Sequence, residues 1–265
     1  MTKVAFHRIY WKSHWQKKYA RLYAAYAKSP GNYYSKSSAA LIEALNVKNP
    51  QIVGDIGCGT GAFTSEFLKV HPECRIFAID ISKEIISYYR KNFQGLIDKK
   101  INAIKGNAEE INKYTGHLDA AFVSSAVWDM NVPVLLRNLS HITGRLAFNV
   151  PYAVLDKNKG FIAYIESKFS EVKGKKYRRL QHKEIGRWMK ITGWKIDEIE
   201  YSFWLSRNNI KQFLAVLRYR YPFIFFPHLS YNKAIKIIDE VFKKIIRELP
   251  PKGIQENGII FIGKR

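Results

Sequence analysis

The sequence predicts an α/β fold in which a mostly parallel β-sheet is covered by helices on both faces. From residue 51 onward, short apolar runs alternate with amphipathic segments, as in buried parallel strands joined by helices. The first of these runs leads into a glycine-rich turn at residues 57–61, followed by a helical pattern. The 265 residues, 47% of them hydrophobic, suffice for one large domain with its own core.

The first fifty residues predict two helices that precede the sheet. Aromatic and apolar side chains recur there at steps of three and four, which places them on one helix face; they are Trp11, Trp15, Tyr19, Leu22 and Tyr26. The sequence Ser-Pro-Gly-Asn at residues 29–32 ends this helix. A second helix is expected over residues 39–45, so that residues 1–50 form a helical cap.

Seven strands and their helices are expected after the cap. The strands are predicted over residues 52–56, 76–79, 101–104, 120–123, 146–150, 195–203 and 258–262. Helices are predicted over residues 63–70, 84–93, 134–141 and 183–191, and two more lie in 208–219 and 231–248. The expected organisation is a core of residues 51–203 and 257–265 that carries a helical insertion, residues 204–256.

The formal net charge of +22 is unevenly distributed along the chain. Residues 51–150 are close to neutral, whereas the flanks hold nearly all the excess, including a basic patch at residues 173–179. Such flanks attract anionic partners, namely RNA, an anionic membrane surface or an acidic carrier protein. A solvated basic surface without a specific partner is the alternative.

The cysteine count and the apolar runs restrict the class of protein. Two cysteines, Cys58 and Cys74, exclude a disulfide framework and a multi-cysteine zinc site. The apolar runs are shorter than the roughly 20 residues that span a bilayer, and the N-terminus shows no apolar signal region. We therefore expect a cytoplasmic protein, with peripheral membrane association left open.

The glycine-rich turn predicts a ligand site. Gly57, Gly59 and Gly61 let the backbone turn tightly and approach a ligand, and the helix behind them offers N–H groups to an anionic moiety. Asp80 closes the next predicted strand, where a carboxylate can accept hydrogen bonds from both hydroxyls of a ribose. The spacing differs from that of a dinucleotide fold and from that of a P-loop.

Three segments together resemble the class I S-adenosylmethionine-dependent methyltransferases. They are Asp-Ile-Gly-Cys-Gly-Thr-Gly at residues 55–61, Ala-Ile-Asp-Ile-Ser at 78–82 and Lys-Gly-Asn-Ala-Glu at 105–109. The resemblance covers roughly residues 35–150 and is to the small-molecule and lipid-modifying branch, types 11 and 25. It implies a Rossmann-like fold with a seven-stranded, mostly parallel sheet whose last strand is antiparallel, S-adenosylmethionine as cofactor and S-adenosylhomocysteine as product.

The resemblance also implies which residues bind the cofactor. Asp55 and the three glycines would lie by its methionine part, Asp80 at its ribose, and Asn107 and Ala108 at its adenine. The full predicted set is Asp55, Gly57, Cys58, Gly59, Thr60, Gly61, Asp80, Ile81, Asn107, Ala108, Ser124 and Ser125. Many members of the family carry Asp where this chain has Asn107, whose amide oxygen can still accept a hydrogen bond.

The sequence says less about the identity of the methyl acceptor. Methyl transfer depends on alignment of the reactants and exclusion of water more than on a catalytic residue shared by the family. Neither cysteine suits attack on a pyrimidine, and residues 124–128 lack the Asn/Asp-Pro-Pro-Tyr motif of base-amino methyltransferases. Asp119 and Asp129 are isolated, so no metal is expected. The apolar late insertion favours a hydrophobic or carrier-attached small molecule, with oxygen ahead of nitrogen or carbon as the methylated atom.

Two alternatives stay open, an RNA methyltransferase that uses the basic flanks and a protein that binds the cofactor without catalysis. The candidate acid or base groups are His228 and Tyr152, ahead of Tyr34 and His14. The segment Tyr-Pro-Phe-Ile-Phe-Phe-Pro-His at residues 221–228 is expected to form an apolar lid over the acceptor. The predicted acceptor-binding residues are Tyr34, Trp128, Phe223, Phe225 and Phe226.

Overall fold

The computed structural model describes residues 17–127, 130–151, 160–173, 182–226 and 228–265. In this part of the chain a single seven-stranded sheet has the strand order β3-β2-β1-β4-β5-β7-β6. The strands are β1 (Ile52–Ile56), β2 (Arg75–Asp80), β3 (Ile101–Lys105), β4 (Ala120–Val123), β5 (Arg145–Pro151), β6 (Lys195–Leu205) and β7 (Ile254–Lys264). The first five strands pair in parallel, and β7 lies antiparallel between β5 and β6. The predicted fold class is confirmed.

Helices connect and cover these strands. They are α1 (Lys17–Ala27), α2 (Tyr33–Leu45), α3 (Ala62–Val70), α4 (Lys83–Asn92), α5 (Val132–Leu139), α6 (Phe161–Lys173), α7 (His182–Ile191), α8 (Arg207–Leu217), α9 (Tyr221–Phe225) and α10 (Tyr231–Glu248). A 3₁₀-helix, Ala108–Lys113, follows β3. None of the helices in the described ranges is long and apolar enough to cross a membrane.

Side-chain caps explain several helix starts. Asn32 accepts a hydrogen bond from the Ser35 N–H and begins α2, six residues earlier than the predicted start at residue 39. Ser82 caps α4 and Ser206 caps α8 in the same way. The early start of α2 matters for the site, because its first turns carry Tyr34, Ser37 and Ser38.

Apolar side chains form three buried clusters. One packs α5 and α7 against the sheet, and a second packs α2, α3 and α4 against the sheet. A third cluster joins α1, α6 and the helices α8–α10 of the insertion. This third cluster lies where the cap and the insertion meet, so the N-terminal and late elements form one apolar unit.

The sequence did not predict α6 or α9. Phe161–Lys173 form an uninterrupted helix where the sequence shows only a loosening of the strand–helix pattern, and Tyr221–Phe225 form a short helix within the predicted proline-bounded link. Pro222 lies in the first turn of α9, where a missing N–H does no harm to a helix.

Candidate functional site

A cavity of about 110 Å³ lies at the carboxyl ends of the central strands. Its wall combines the glycine turn, the ends of β2 and β4, the start of the 3₁₀-helix, the cap helices and one residue of the insertion. It is lined by Tyr19, Tyr23, Tyr34, Gly57, Gly59, Asp80, Ile81, Asn107, Ala108, Glu109, Ser124, Ser125, Ala126, Met130 and Arg220. Crevices of this kind form where neighbouring parallel strands send their connections to opposite faces of the sheet.

Backbone hydrogen bonds hold the glycine turn against the end of β2. The N–H groups of Gly57 and Cys58 both donate to the Ile79 carbonyl oxygen, at 2.8 and 3.0 Å. Gly57 and Gly59 have φ values of +70° and +55°, which favour glycine. A Cβ on Gly59 would lie 2.5 Å from the Tyr23 hydroxyl. The wall at this point can therefore be made only of backbone.

Asp80 links the turn to the next helix. Its Oδ2 accepts from the Gly59 N–H at 3.1 Å and its Oδ1 accepts from the Ser82 N–H at 2.9 Å. The carboxylate is half-buried and lines the cavity. Each carboxylate oxygen can accept a further bond, so the side chain can stabilise the turn and still bind hydroxyl groups of a ligand.

Four serine hydroxyls lie together beneath the cavity. Ser37 Oγ is 3.1 Å from Ser125 Oγ, and Ser38 Oγ is 3.0 Å from Ser124 Oγ. Asn149, fully buried on β5, accepts from the Ser125 N–H at 2.7 Å and donates to its Oγ at 3.2 Å. Ser125 has a φ of +56°, a strained value for a residue with a Cβ. Asn149 thus holds the turn after β4 in its shape.

Tyrosines from the cap helices form the aromatic part of the wall. The ring centroids of Tyr23 and Tyr34 are 4.9 Å apart, and those of Tyr19 and Tyr23 are 6.3 Å apart. Burial raises the pKa of Tyr23 and of Tyr34 well above the usual value for a phenol. Both phenols therefore stay protonated at neutral pH and can donate hydrogen bonds.

The structure places the predicted cofactor residues in two groups. Gly57, Gly59, Asp80, Ile81, Asn107, Ala108, Ser124 and Ser125 line the cavity, whereas Asp55, Cys58, Thr60 and Gly61 are not in its wall. Asp55 is buried beneath the turn, where its Oδ2 accepts from the Thr64 hydroxyl at 2.7 Å. Burial raises the pKa of the Asp55 carboxyl to about 8.

The predicted catalytic and acceptor residues are more scattered. Tyr34 lines the cavity, but His228 is exposed and is not in the cavity wall. Phe225 is fully buried against Phe169, with ring centroids 4.3 Å apart, and so belongs to the core. Phe226 packs partly buried on the same cluster. None of these three side chains is in the cavity wall. The prediction that residues 221–228 form a lid over the acceptor stays a prediction.

Several predictions lie outside the described part of the chain. They concern Trp128, Tyr152, His14 and most of the basic patch at residues 173–179, together with the side chain of Phe223. Within the described ranges, no three His, Cys, Asp or Glu side chains are grouped as metal ligands would be.

Six residues of the wall were not predicted from the sequence; they are Tyr19, Tyr23, Glu109, Ala126, Met130 and Arg220. Tyr19 belonged to the predicted aromatic helix face, but Tyr23, one turn along, carried no signal of its own. Glu109 and Ala126 lie within the segments at residues 105–109 and 124–128, and Met130 gives no signal of its own in the sequence. Arg220 directly precedes the proline-bounded segment and contributes to the general basic charge. The packing of the cap and the insertion brings Tyr19, Tyr23 and Arg220 to the wall.

Comparison with known proteins agrees with this geometry. A family model described as a methyltransferase domain matches residues 53–147. A malonyl-[acyl-carrier protein] O-methyltransferase of Halalkalibacterium halodurans is 33% identical over 82 residues, which are 29% of this chain and 30% of that protein. The chain thus matches less than a third of that relative's length.

Two solved structures have the same fold. The cyclopropane synthase MmaA2 of Mycobacterium tuberculosis superposes with a TM-score of 0.63 at 11% identity, covering 98% of each chain. Phosphoethanolamine N-methyltransferase 2 of Haemonchus contortus, in complex with phosphomonomethylethanolamine and S-adenosylhomocysteine, gives a TM-score of 0.61 at 15% identity. That match covers 98% of this chain and 60% of the other.

Proposed function

Because the chain belongs to the class I S-adenosylmethionine-dependent methyltransferase family, we propose that it transfers a methyl group from S-adenosylmethionine to a small-molecule acceptor in the cavity described above. The observation that carries the proposal is one wall shared by two sets of residues. The glycine turn and Asp80 lie at the strand ends, and Tyr19, Tyr23 and Tyr34 lie across from the sheet on the cap helices.

The residues at the strand ends fit S-adenosylmethionine. Gly57 and Gly59 present bare backbone where a Cβ would collide with neighbouring side chains. Asp80 offers carboxylate oxygens for the ribose hydroxyls. Asn107 and Ala108 would border the adenine, and Ser124 and Ser125 would lie beside the methionine part. In this account Asp55 supports the turn from beneath.

The chain's own contribution is alignment and exclusion of water. Bound S-adenosylmethionine supplies a methyl group already activated by its sulfonium. Tyr19, Tyr23 and Tyr34 shield the cavity from solvent, and the protonated phenols of Tyr23 and Tyr34 can orient polar atoms of the acceptor. The Ser37, Ser38, Ser124 and Ser125 hydroxyls, braced by Asn149, hold the floor in one geometry.

We propose a hydrophobic or carrier-attached acceptor, methylated on oxygen. The aromatic wall supports an acceptor with an apolar body. The named relative acts on a malonyl group attached to a carrier protein, which supports a carrier-attached acid for this chain as well. A carboxylate oxygen carries no proton at neutral pH and needs no general base, which supports an acid as the acceptor.

Methyl-labelled S-adenosylmethionine tests the proposal directly. The protein is incubated with carboxylic acids, carrier-attached acids, phenols, amines and structured RNA, and both transferred label and S-adenosylhomocysteine are measured. We expect label on a small or carrier-attached acid, and at subsaturating cofactor we expect less label with the Asp80→Ala variant than with the wild type. Label on RNA alone would favour the basic flanks as the substrate-binding surface. Cofactor binding with no label anywhere would indicate a binding protein without catalysis.

A further inference from the structure

Arg220 lines the cavity from the turn between α8 and α9. We propose that its guanidinium binds an anionic group, a carboxylate or a phosphate, of the methyl acceptor. This inference rests on the proposed function, because it assigns a binding partner to one end of the acceptor in that same cavity.

The backbone directs Arg220 away from its basic neighbour. Arg218 and Arg220 both have helical backbone angles, so their side chains, two residues apart, point to different sides of the turn. Arg218 forms an ion pair with Asp239 of α10 through Nε and Nη2, the latter 2.7 Å from Oδ2. This ion pair holds the Arg218 side chain against α10, whereas Arg220 lies in the cavity wall.

The core holds the turn that carries Arg220. Its N–H donates to the Leu217 carbonyl oxygen at 2.9 Å. On either side, Leu217 and Tyr221 are buried in the cluster shared by the cap and the insertion. A guanidinium presented from a packed turn loses less conformational entropy on binding an anion than one on a mobile loop would.

The charges of the cavity wall favour an anionic ligand at this point. The charged side chains in the described part of the wall are Asp80, Glu109 and Arg220. Both carboxylates accept hydrogen bonds from backbone N–H groups, Asp80 from Gly59 and Ser82, and Glu109 from Asn131 at 2.8 Å. Arg220 is the cation of this set, and its planar fork matches the oxygens of a carboxylate or phosphate.

The surroundings of Arg220 strengthen such a contact. Burial raises the pKa of Tyr34, and the positive charge of Arg220 opposes that rise, so the guanidinium and the phenol lie within electrostatic range. Arg220 is half-buried, so its charge is less screened by water than that of an exposed arginine. The same wall thus offers aromatic surface to an apolar body and a cation to its charged end.

The carboxylate of the cofactor is a second source of the same chemistry. We assign Arg220 to the acceptor because it belongs to the insertion, whereas the residues that fit the cofactor lie at the strand ends and on the turns that follow them. A variant of Arg220 distinguishes the two assignments. Loss of a cofactor contact would lower the affinity for S-adenosylhomocysteine, whereas loss of an acceptor contact would not.

Calorimetry on the protein saturated with S-adenosylhomocysteine tests the proposal. Phenyl phosphate and phenylacetate serve as anionic probes and phenylacetamide as the neutral one. We expect the wild type to bind at least one of the anionic probes about tenfold or more tightly than the amide, since a charge-assisted contact is lost with the amide. Arg220→Gln should abolish that preference without changing the affinity for S-adenosylhomocysteine. Arg218→Gln, which loses the same charge two residues away, should keep it.

Three results would overturn the proposal. The wild type could bind no anion better than the amide, or Arg220→Gln could keep the preference. Arg220→Gln could also weaken the binding of S-adenosylhomocysteine. That result would assign the guanidinium to the cofactor and would leave the proposed function unaffected. A wild type that fails to bind S-adenosylhomocysteine at all would instead refute the proposed function. Thermal unfolding of each variant confirms that it is folded before the comparison is made.

Discussion

The buried carboxyl of Asp55 makes the stability of this protein depend on pH in a way that a surface acid would not. Its pKa is about 8 in the folded protein, against an ordinary value of 3.8. Between these values the folded state holds a proton that the unfolded chain has released. The free energy of unfolding therefore falls as the pH rises from about 4 to about 8.

One proton of difference changes the free energy of unfolding by about 1.4 kcal/mol per pH unit. Between pH 5 and pH 8 this amounts to about 4 kcal/mol. Asp55→Asn removes the titration and keeps an oxygen that can accept from the Thr64 hydroxyl. The difference in free energy of unfolding, variant minus wild type, should therefore increase by about 4 kcal/mol between pH 5 and pH 8.

Urea unfolding at pH 5, 6, 7 and 8 measures the effect. The matched control is Asp98→Asn, an exposed aspartate with a φ of +62°, where asparagine is tolerated. The difference between Asp98→Asn and wild type should stay constant with pH. Parallel curves for Asp55→Asn and wild type would show that the Asp55 carboxyl does not titrate with a raised pKa in the folded protein. A loss of S-adenosylhomocysteine affinity in Asp55→Asn would place the carboxylate at the cofactor, as the family resemblance implies.

Three further predictions concern the floor, the turn and the insertion. Asn149→Ala should destabilise the protein by about 2 kcal/mol or more, because the Ser125 N–H loses its acceptor. The affinity for S-adenosylhomocysteine and the Tm should both fall. Adding Ser125→Gly should restore part of the affinity, because glycine adopts the positive φ without strain. Gly59→Ala should weaken S-adenosylhomocysteine binding about tenfold or more. Its Cβ would collide with Tyr23, and the left-handed backbone conformation costs a residue with a Cβ about 1–2 kcal/mol. Gly95→Ala is the control, because open space surrounds Gly95, and its affinity measured by calorimetry should equal that of the wild type. Phe225→Ala should lower stability by about 3–5 kcal/mol in urea unfolding, whereas His228→Ala should leave both turnover and stability unchanged. A stable Phe225→Ala variant with impaired turnover would instead support the lid hypothesis.

The fold could be predicted from the sequence because its signals are local. β1 and β4 have the predicted bounds, and the glycine turn lies between β1 and α3 as the spacing required. The same locality explains why Gly57, Gly59 and Asp80 meet at one cavity, since the ends of neighbouring parallel strands share an edge. α6 was missed although Gly160 and Gly174 flank it in the sequence.

The far wall of the cavity could not be predicted, because it depends on how distant helices pack. Tyr23 and Arg220 meet across almost two hundred residues of sequence through the cluster that joins α1 to the insertion. The aromatic run at residues 221–226 gave an ambiguous signal, since hydrophobic residues that cover a ligand and those that fill a core have the same composition. Only the stacking of Phe225 on Phe169 separates the two roles.

Calorimetric titration of S-adenosylhomocysteine into the wild-type protein and Asp80→Ala tests the central claim most directly. We expect one binding site in the wild type and an affinity about tenfold or more lower in the variant, because a charged acceptor for the ribose hydroxyls is removed. No binding heat with the wild type, or equal affinity in both proteins, would contradict the assignment of this cavity to the cofactor.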